Sequence, residues 1–290
     1  MLLTILTPLY NRQQYLDRIF ASLMKQSNMN FEWLVVDDGS AERSDAKFEE
    51  YYEKAPFKVK YYYKENGGKH TAINFAHNYI EGDVVLILDS DDYLCESAVS
   101  DVLCAWEKDI CNASIGVISF CKGSDENTPL VKYPEETVSD HITYRINRGI
   151  EGDCCETVRS SAFKEYPFPE FEGEKFMDEI HLWYGLAEKY KTRYINKVIY
   201  VAEYLDEGLT NNVKTLHKNN PKGAFYNQTV ALRQSLNFKN KVKRLLLASY
   251  FGRLQGMGYR SVAEKTGSGA LLAMLWIPGA ALYYYWKRKY

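Results

Sequence analysis

The sequence predicts an α/β chain with a Rossmann-like, mostly parallel central sheet flanked by helices and followed by a C-terminal helical extension. Three observations predict it. Short β-branched or apolar runs alternate with helix-patterned stretches through roughly the first 95 residues, as repeated strand–helix units require. One of those runs, Val84 to Leu88, is apolar without helical periodicity, as expected of a strand buried on both faces of a parallel sheet. It breaks into Asp89-Ser90-Asp91-Asp92, and ligands of open α/β sheets bind at the carboxyl ends of strands.

Taken in order, Leu2 to Leu6 reads as a strand that stops at Thr7-Pro8, where the proline removes a donor. Tyr15, Ile19 and Leu23 recur at helical spacing within a helix expected over Asn11 to Lys25. A second strand, Phe31 to Val36, runs into Asp37-Asp38-Gly39-Ser40; Gly39 permits a sharp turn, and Ser40 is placed to cap the next helix. Ala46 to Lys54 is a polar helix, and Phe57 to Tyr63 a strand by alternation and aromatic content. A helix over Thr71 to Ile80 leads into the Val84 strand. Beyond it, Ser97 to Lys108 is helical and Gly116 to Cys121 a strand, whereas Lys122 to Thr143 is turn-rich and carries no clear period. Gly149 to Ser161 reads as a loop or short strand entering a helix. Prolines keep Tyr166 to Glu174 extended. Met177 to Lys189 is an amphipathic helix with Asp178 and Glu179 in its first turn, Thr192 to Tyr204 holds a late strand, and Tyr226 to Met257 reads as one or two basic helices.

Composition removes some functions. The 290 residues suffice for one large α/β domain or two smaller ones, and a formal net charge of −2 leaves no electrostatic footprint for nucleic acid. The 24 tyrosines suit an open cleft or amphipathic surfaces. Six cysteines without a CxxC pair argue against a zinc or disulfide framework and for reduced thiols in a cytoplasmic protein. MLLTILTPLYNR has no basic region and no cleavage site, so it is read as a strand and not a signal peptide.

The chemistry concentrates at two places. Three carboxylates within Asp89-Ser90-Asp91-Asp92 are costly at the end of a buried strand unless a cation neutralises them, and Mg²⁺ or Mn²⁺ prefers such oxygen ligands. Taken alone, the segment also reads as an Asp-rich turn capping the next helix. The second place is Asn66-Gly67-Gly68-Lys69-His70, a glycine pair opening a helix beside two basic side chains, which suits backbone approach to an anion. It matches neither GxGxxG nor GxxxxGK[ST], so neither a dinucleotide site nor a P-loop is supported.

With TPLYNR (7–12), VVDDGS (35–40) and LDSDD (88–92) standing in that order, the chain resembles glycosyltransferase family 2, whose members have the GT-A fold. Each motif is common alone; the ordered set is specific. The later stretches PFPEFEGEKFMDEIHLW and YVAEYLDEGLTNN look like bacterial members that build surface polysaccharides. The resemblance covers about residues 1 to 215. It implies a catalytic domain over 1–215, with a nucleotide-binding half (1–95) and an acceptor half (96–215), then a helical extension (216–265) and an apolar and basic tail (266–290).

The resemblance also implies roles. Thr7, Pro8, Tyr10 and Arg12 would line the nucleotide-sugar; Asp38, with Asp37 beside it, would accept hydrogen bonds from base or ribose; and Gly67, Gly68 and Lys69 would face the nucleotide. Asp91 would coordinate Mn²⁺ or Mg²⁺ directly, Asp89 would contact ribose or the metal's water shell, and Ser90 would lie against the donor, with Asp92 free to cap the next helix. The family's base, a carboxylate at the start of a late helix, aligns with Glu179; the order here is Asp178-Glu179 where Glu-Asp is usual, so Asp178 stays open beside it. Trp183 follows at the family's spacing.

The activity implied is inverting, metal-dependent transfer of a sugar from a nucleotide-diphospho-sugar, a UDP-sugar being favoured, to a glycan or lipid-linked acceptor in cell-surface polysaccharide synthesis. Two other readings compete. A nucleotidyltransferase would carry a Gly-rich basic loop after its first strand, where this chain has TPLYNR; a non-catalytic sugar-nucleotide-binding scaffold would not need Asp89, Asp91 and Glu179 together. Ala270 to Trp286 is uncharged, is broken by Pro278-Gly279, and precedes Lys287-Arg288-Lys289. That pattern suits peripheral contact at the inner face of the cell membrane, with packing on protein or spanning as alternatives. No nucleic-acid partner is expected, and a homodimer is left open.

Overall fold

The computed structural model describes residues 1–203 and 209–289. In chain order these form β1 (Leu3–Leu9), α1 (Leu16–Met24), β2 (Phe31–Asp37), α2 (Asp45–Lys54), β3 (Lys58–Tyr63), α3 (Lys69–Ala76), β4 (Val84–Ile87), β5 (Tyr93–Leu94) and α4 (Ala98–Asp109). There follow β6 (Ile115–Gly123), β7 (Thr137–Ser139), a π-helical turn over Ile142–Ile146, β8 (Cys154–Arg159), α5 (Ser160–Lys164), α6 (Ile180–Lys189) and β9 (Lys191–Val201). The last elements are α7 (Leu209–Asn219), α8 (Pro221–Leu232), α9 (Phe238–Leu254), α10 (Tyr259–Thr266) and α11 (Gly269–Lys289). The expected late strand reached Tyr204, and YVAEYLDEGLTNN runs to Asn212; residues 204–208 lie outside the described residues.

The strands form one sheet in the order β3-β2-β1-β4-β8-β6-β9-β5, with β7 also on β9. The β3-β2-β1-β4 half is parallel throughout. β8 runs against both β4 and β6, β6 and β9 are parallel, and β5 and β7 run against β9. Strand residues alternate between two cores. Leu3, Ile5, Trp33, Val35, Val84 and Leu86 pack toward α1, α2 and α4, through Ile19, Phe48 and Trp106. Leu6, Leu34, Val36 and Val85 pack toward α3, α5 and α6, through Ile73, Phe163 and Leu182. Burial on both faces is why these strands read as continuous apolar runs, and each such side chain contributes roughly 1.5–3 kcal/mol.

The boundaries depart from expectation in instructive places. β1 does not stop at Thr7-Pro8 but continues to Leu9, paired with β2 up to Leu9–Asp37. The Leu6 carbonyl accepts from the Leu88 amide, on the β4 side, and Pro8 points to that same side, beyond the end of β4. Its missing N–H therefore leaves no ladder bond unmade. Ser40 does not cap α2: its hydroxyl accepts from the Asn11 amide (2.8 Å) while Asn11 Oδ1 accepts from the Ala41 amide (2.9 Å). Asn11, at φ +51°, thus ties the turn after β1 to the turn after β2. A third core, with Phe225, Leu245, Phe251, Val262 and Leu272, joins α8 to α11. There α11 is one helix through Pro278, whose ring lies on its exposed side.

Candidate active site

The carboxyl ends of β1, β2 and β4 open onto a cleft of ≈ 540 Å³, and a second cleft of ≈ 720 Å³ adjoins it. Lys69, Asp89, Lys122, Asp153 and Phe176 line both. The first cleft takes Pro8, Tyr10 and Arg12 from the end of β1, Asp38 from the end of β2, Gly68 and Lys69 from the start of α3, and Asp89, Ser90 and Asp91 after β4. Asp178 and Glu179, at the entry to α6, line the second.

The Asp89–Asp92 segment is a tight turn, closed by the Asp92 amide on the Asp89 carbonyl (3.1 Å). Tyr200, near the end of β9, holds it: its hydroxyl accepts from the Asp89 amide (3.0 Å) and donates to Asp92 Oδ2 (2.7 Å). Asp92 Oδ1 accepts from the Glu203 amide (2.8 Å), so Asp92 anchors the turn and does not cap α4, which begins at Ala98. Burial and the charge of Asp89 push the Asp92 carboxyl up to about 6. Ser90 and Asp91 stand at the tip. Arg18 of α1 holds the Asp91 carbonyl, while the Asp91 carboxylate faces the cleft without a hydrogen bond or ion pair among the described residues.

Asp89 lies between two lysines. Lys69 Nζ is 2.6 Å from its Oδ1 and 2.9 Å from Glu179 Oε1; Lys122 Nζ is 3.6 Å from its Oδ2 and 4.1 Å from the centre of the Tyr200 ring. Burial alone would raise the Asp89 carboxyl, but the two ammonium groups outweigh it and hold the carboxyl well below the usual range. Burial likewise disfavours the charged lysines; Asp89 and Glu179 outweigh it for Lys69, and Asp89 and Asp92 for Lys122, so both are held as cations.

Asp38 organises the glycine loop. Its carboxylate accepts from the amides of Gly67 (3.0 Å) and Gly68 (2.6 Å), from Asn66 Nδ2 (3.0 Å) and from Lys64 Nζ (2.6 Å). Gly68 sits at φ +99°, and a Cβ there would collide with the Lys175 carbonyl, so the extended stretch before α6 closes directly over the loop. Three expected donor contacts stay off the cleft wall. Thr7 is buried, its hydroxyl 3.1 Å from Trp33 Nε1; Asp37 is buried and accepts from the Ser40 amide (2.8 Å) and the Tyr61 hydroxyl (2.9 Å); Gly67 acts through its bond to Asp38.

The two candidate bases differ in freedom. α6 starts at Ile180, so Asp178 and Glu179 precede its first turn rather than lying in it. Asp178 Oδ1 accepts from the Ile180 amide (3.1 Å) and Asn227 Nδ2 (2.5 Å), and Oδ2 pairs with His217 Nε2 (2.8 Å). Glu179 presents its carboxylate to the cleft with Lys69 as its ion-pair partner.

Sequence reasoning missed Lys122 and Tyr200. Lys122 follows the apolar run of β6, and a lone charge at the end of a buried strand is the signal that singled out Asp89. Tyr200 sits in an apolar strand and carries no local signal. Among the described residues no three His, Cys, Asp or Glu side chains converge as a metal cage. The free Asp91 carboxylate with Asp89 beside it suits instead a hard divalent cation held by one or two carboxylates and completed by substrate phosphate and water.

The chain is 34% identical over 100 residues to poly(ribitol-phosphate) beta-N-acetylglucosaminyltransferase TarS of Staphylococcus aureus (strain Mu50), spanning 34% of this chain and 18% of TarS. It is 32% identical over 102 residues to the minor teichoic acid biosynthesis protein GgaB of Bacillus subtilis (strain 168), spanning 34% of this chain and 11% of GgaB. The matched segments are thus a small part of these relatives' own length. The crystal structure of S. aureus TarS 1-349 superposes with a TM-score of 0.64 at 20% identity, covering 87% of this chain and 72% of that one. The same TarS segment in complex with UDP-GlcNAc gives 0.62 at 16% identity over 96% and 92%. Mannosyltransferase PcManGT from Pyrobaculum calidifontis, in complex with GDP-Man and Mn²⁺, gives 0.56 at 17% identity over 97% and 77%. The fold is therefore the GT-A fold. The family model for glycosyl transferase family 2 matches residues 4–166, more than half of the 290-residue chain, and the chain belongs to that family.

Proposed function

We propose that this protein is an inverting, metal-dependent glycosyltransferase that moves a sugar from a nucleotide-diphospho-sugar to a hydroxyl of a glycan or lipid-linked acceptor in cell-surface polysaccharide synthesis. The observation that carries the reading is the junction of the two clefts, where Lys69 stands between Asp89 of the first and Glu179 of the second. A donor diphosphate in the first cleft would meet Lys69 and Lys122, and its anomeric carbon would face the second cleft. Pro8, Tyr10 and Arg12 would line the nucleotide, with Asp38 holding the Gly67–Gly68 loop against it. A UDP-sugar is favoured because the TarS structure of like fold holds UDP-GlcNAc.

In the transfer, the acceptor oxygen bonds to the anomeric carbon as the bond from that carbon to the diphosphate oxygen breaks. Glu179 takes the acceptor's proton, the nucleoside diphosphate leaves with the bonding pair, and attack from the opposite face inverts the configuration. Lys69 neutralises Glu179 in the free protein; a bound diphosphate competes for that ammonium and leaves the carboxylate freer to act as base. Mn²⁺ or Mg²⁺ on Asp91, with Asp89, would supply Lewis-acid stabilisation of the departing diphosphate. Asp178 is a positioning residue, tied to α6, α7 and α8.

Residues 1–215 are assigned to catalysis and the helices beyond to acceptor and surface contacts. No helix among the described residues is long and apolar enough to cross a membrane. On α11, however, Met274, Ile277, Tyr284 and Tyr285 are exposed by 71%, 80%, 67% and 59%, ahead of Lys287, Arg288 and Lys289. An apolar, aromatic stripe beside a basic cluster supports peripheral contact with an anionic membrane face, which here would be the inner, cytoplasmic one.

The test is calorimetric titration with UDP, GDP, CDP and dTDP, each with and without Mn²⁺. One nucleotide, UDP by this reading, should bind with metal dependence that Asp91→Ala removes. Metal-independent binding that Asp91→Ala leaves intact would return the Asp89–Asp92 turn to a structural role.

A further inference from the structure

The second cleft holds positive charge that the transfer chemistry does not use. Its outer wall is the first half of α9, where Lys239, Lys243 and Arg244 line the cavity. Lys239 and Lys243 are one helical turn apart and Arg244 follows directly, so the three cations that line the cavity span about 8 Å of the helix at ~1.5 Å rise per residue. Among the described residues neither lysine forms an ion pair. Among the described residues Arg244 donates only to neutral groups, the Tyr184 hydroxyl (2.8 Å) and Gln228 Oε1 (3.2 Å). The other lysines and arginines of the cleft are paired: Arg145 with Glu156 (2.7 Å), Arg148 with Glu135 (3.1 Å), and Lys69 and Lys122 as described. The uncompensated positive charge is therefore local to α9, while Glu151, without an ion pair among the described residues, lines the same cleft.

Its position opposes helix stability. The first turns of a helix already carry partial positive charge, and acidic residues are favoured there; α9 has none in its first turn. The start of α9 is also fixed across the cleft mouth. Asn237 is held by Asn147 through its amide (2.8 Å) and its Nδ2 (3.0 Å), and Asn240 Nδ2 donates to the Ile146 carbonyl (2.9 Å). The helix that carries the three cations is thus tied in place beside a cleft that Glu179 also lines.

We infer that the acceptor is anionic and carries a phosphate, which Lys239, Lys243 and Arg244 bind while a neighbouring hydroxyl reaches Glu179. This rests on the transfer reading of the site. Phosphate fits better than carboxylate. A carboxylate is met most simply by one free arginine fork, and the Arg244 fork is partly taken by Tyr184 and Gln228. Two lysines with one remaining guanidinium edge instead match the several oxygens of a phosphate ester. The phosphate could belong to a phosphodiester polymer or to a lipid headgroup.

The test uses the full chain and fluorescein-labelled synthetic oligo(glycerol phosphate) of six units, read by anisotropy. Labelled maltohexaose is the neutral probe and hexagalacturonate the carboxylate probe. The phosphate oligomer should bind, and lose about tenfold in affinity between 50 and 200 mM NaCl as counterions compete. K239Q/K243Q, at exposed positions, should lose at least about tenfold more, one charge-assisted contact being worth roughly that factor. Equal binding by the variant, or equal binding of either control probe, would overturn the inference. Competition by phosphatidylglycerol vesicles that K239Q/K243Q abolishes would assign the phosphate to a lipid headgroup; binding of the oligomer without such competition would assign it to a polymer. UDP titration with Mn²⁺ on both proteins keeps the readings apart. If wild type binds no UDP, the transferase reading fails; if UDP binds to both and the oligomer binds to both alike, only the anionic acceptor fails.

Discussion

Asp178 and Glu179 are adjacent carboxylates whose neighbours give them different work. The two oxygens of Asp178 serve an amide, an amide nitrogen of Asn227 and a histidine, and Asn227 is fully buried. Removing that acceptor strands a buried donor, which costs about 1–3 kcal/mol. Asp178→Ala should therefore lower stability by about 2 kcal/mol in urea unfolding. The one partner of the Glu179 carboxylate, Lys69, keeps Asp89 as its nearer counter-charge, so Glu179→Gln should leave the unfolding midpoint within about 0.5 kcal/mol of wild type. The same variant should lower kcat by about 10²–10⁴, the usual contribution of a general base, without weakening donor affinity, because Lys69 is then released toward the diphosphate. A Glu179→Gln enzyme of full kcat would move the base elsewhere, and a Glu179→Gln protein as unstable as Asp178→Ala would make both residues structural.

At the scale of elements, the parallel half of the sheet was legible because each strand carries one uninterrupted signal. Val84 to Leu88 is apolar on both faces, and Asp38 and Asp89 stand where such runs end. Lys122 and Tyr200 were not legible, because they lie 33 and 111 residues from Asp89 in sequence and only the β6 and β9 pairings bring them to it. Pro8 misled in the other direction: a missing donor stops a strand only where a neighbour needs it. The tail packs on one side and leaves an apolar stripe on the other, where local sequence treats packing and membrane contact as alternatives. Leu272 of α11 is buried in the third core and Gly279 against Ser249, while Met274 and Ile277 on the other side are largely exposed. Met274→Glu/Ile277→Glu should therefore spare the fold and remove membrane contact. Co-sedimentation with phosphatidylglycerol vesicles should fall at least about tenfold, since burying either side chain contributes roughly 1.5–3 kcal/mol, and the urea midpoint should not move. Equal sedimentation of variant and wild type would leave the stripe to another copy or another protein.

Across the whole molecule, the histidines bias stability toward neutral pH. Of the five in the chain, four are held below their ordinary pKa chiefly by burial: His70 and His181, His77 at about 4, and His141 at about 3. His141 is 7% exposed, its Nδ1 lies 3.4 Å from the Tyr194 hydroxyl, and the nearby Arg145 charge opposes its protonation further. The sign follows from linkage. Above about pH 6.5 the imidazole is neutral in both folded and unfolded chains, and its full contribution is present. As pH falls toward the folded value, the unfolded chain takes up a proton that the fold refuses, and stability is lost. At pH 4.5 the gap is about two pH units for His141, or about 2–3 kcal/mol at ~1.4 kcal/mol per unit. Asp92 and Glu156, raised mainly by burial, act in the opposite sense, gaining stability as pH falls. They are common to wild type and a histidine variant, so the difference between the two isolates the imidazole. Urea unfolding of wild type and His141→Asn at pH 7.5 and 4.5 is the measurement. Whatever packing the asparagine loses is lost at both pH values, so wild type should forfeit about 2–3 kcal/mol more than the variant on acidification. Parallel losses in the two proteins would show that His141 is protonated in the folded state, with its positive charge accommodated at the cleft.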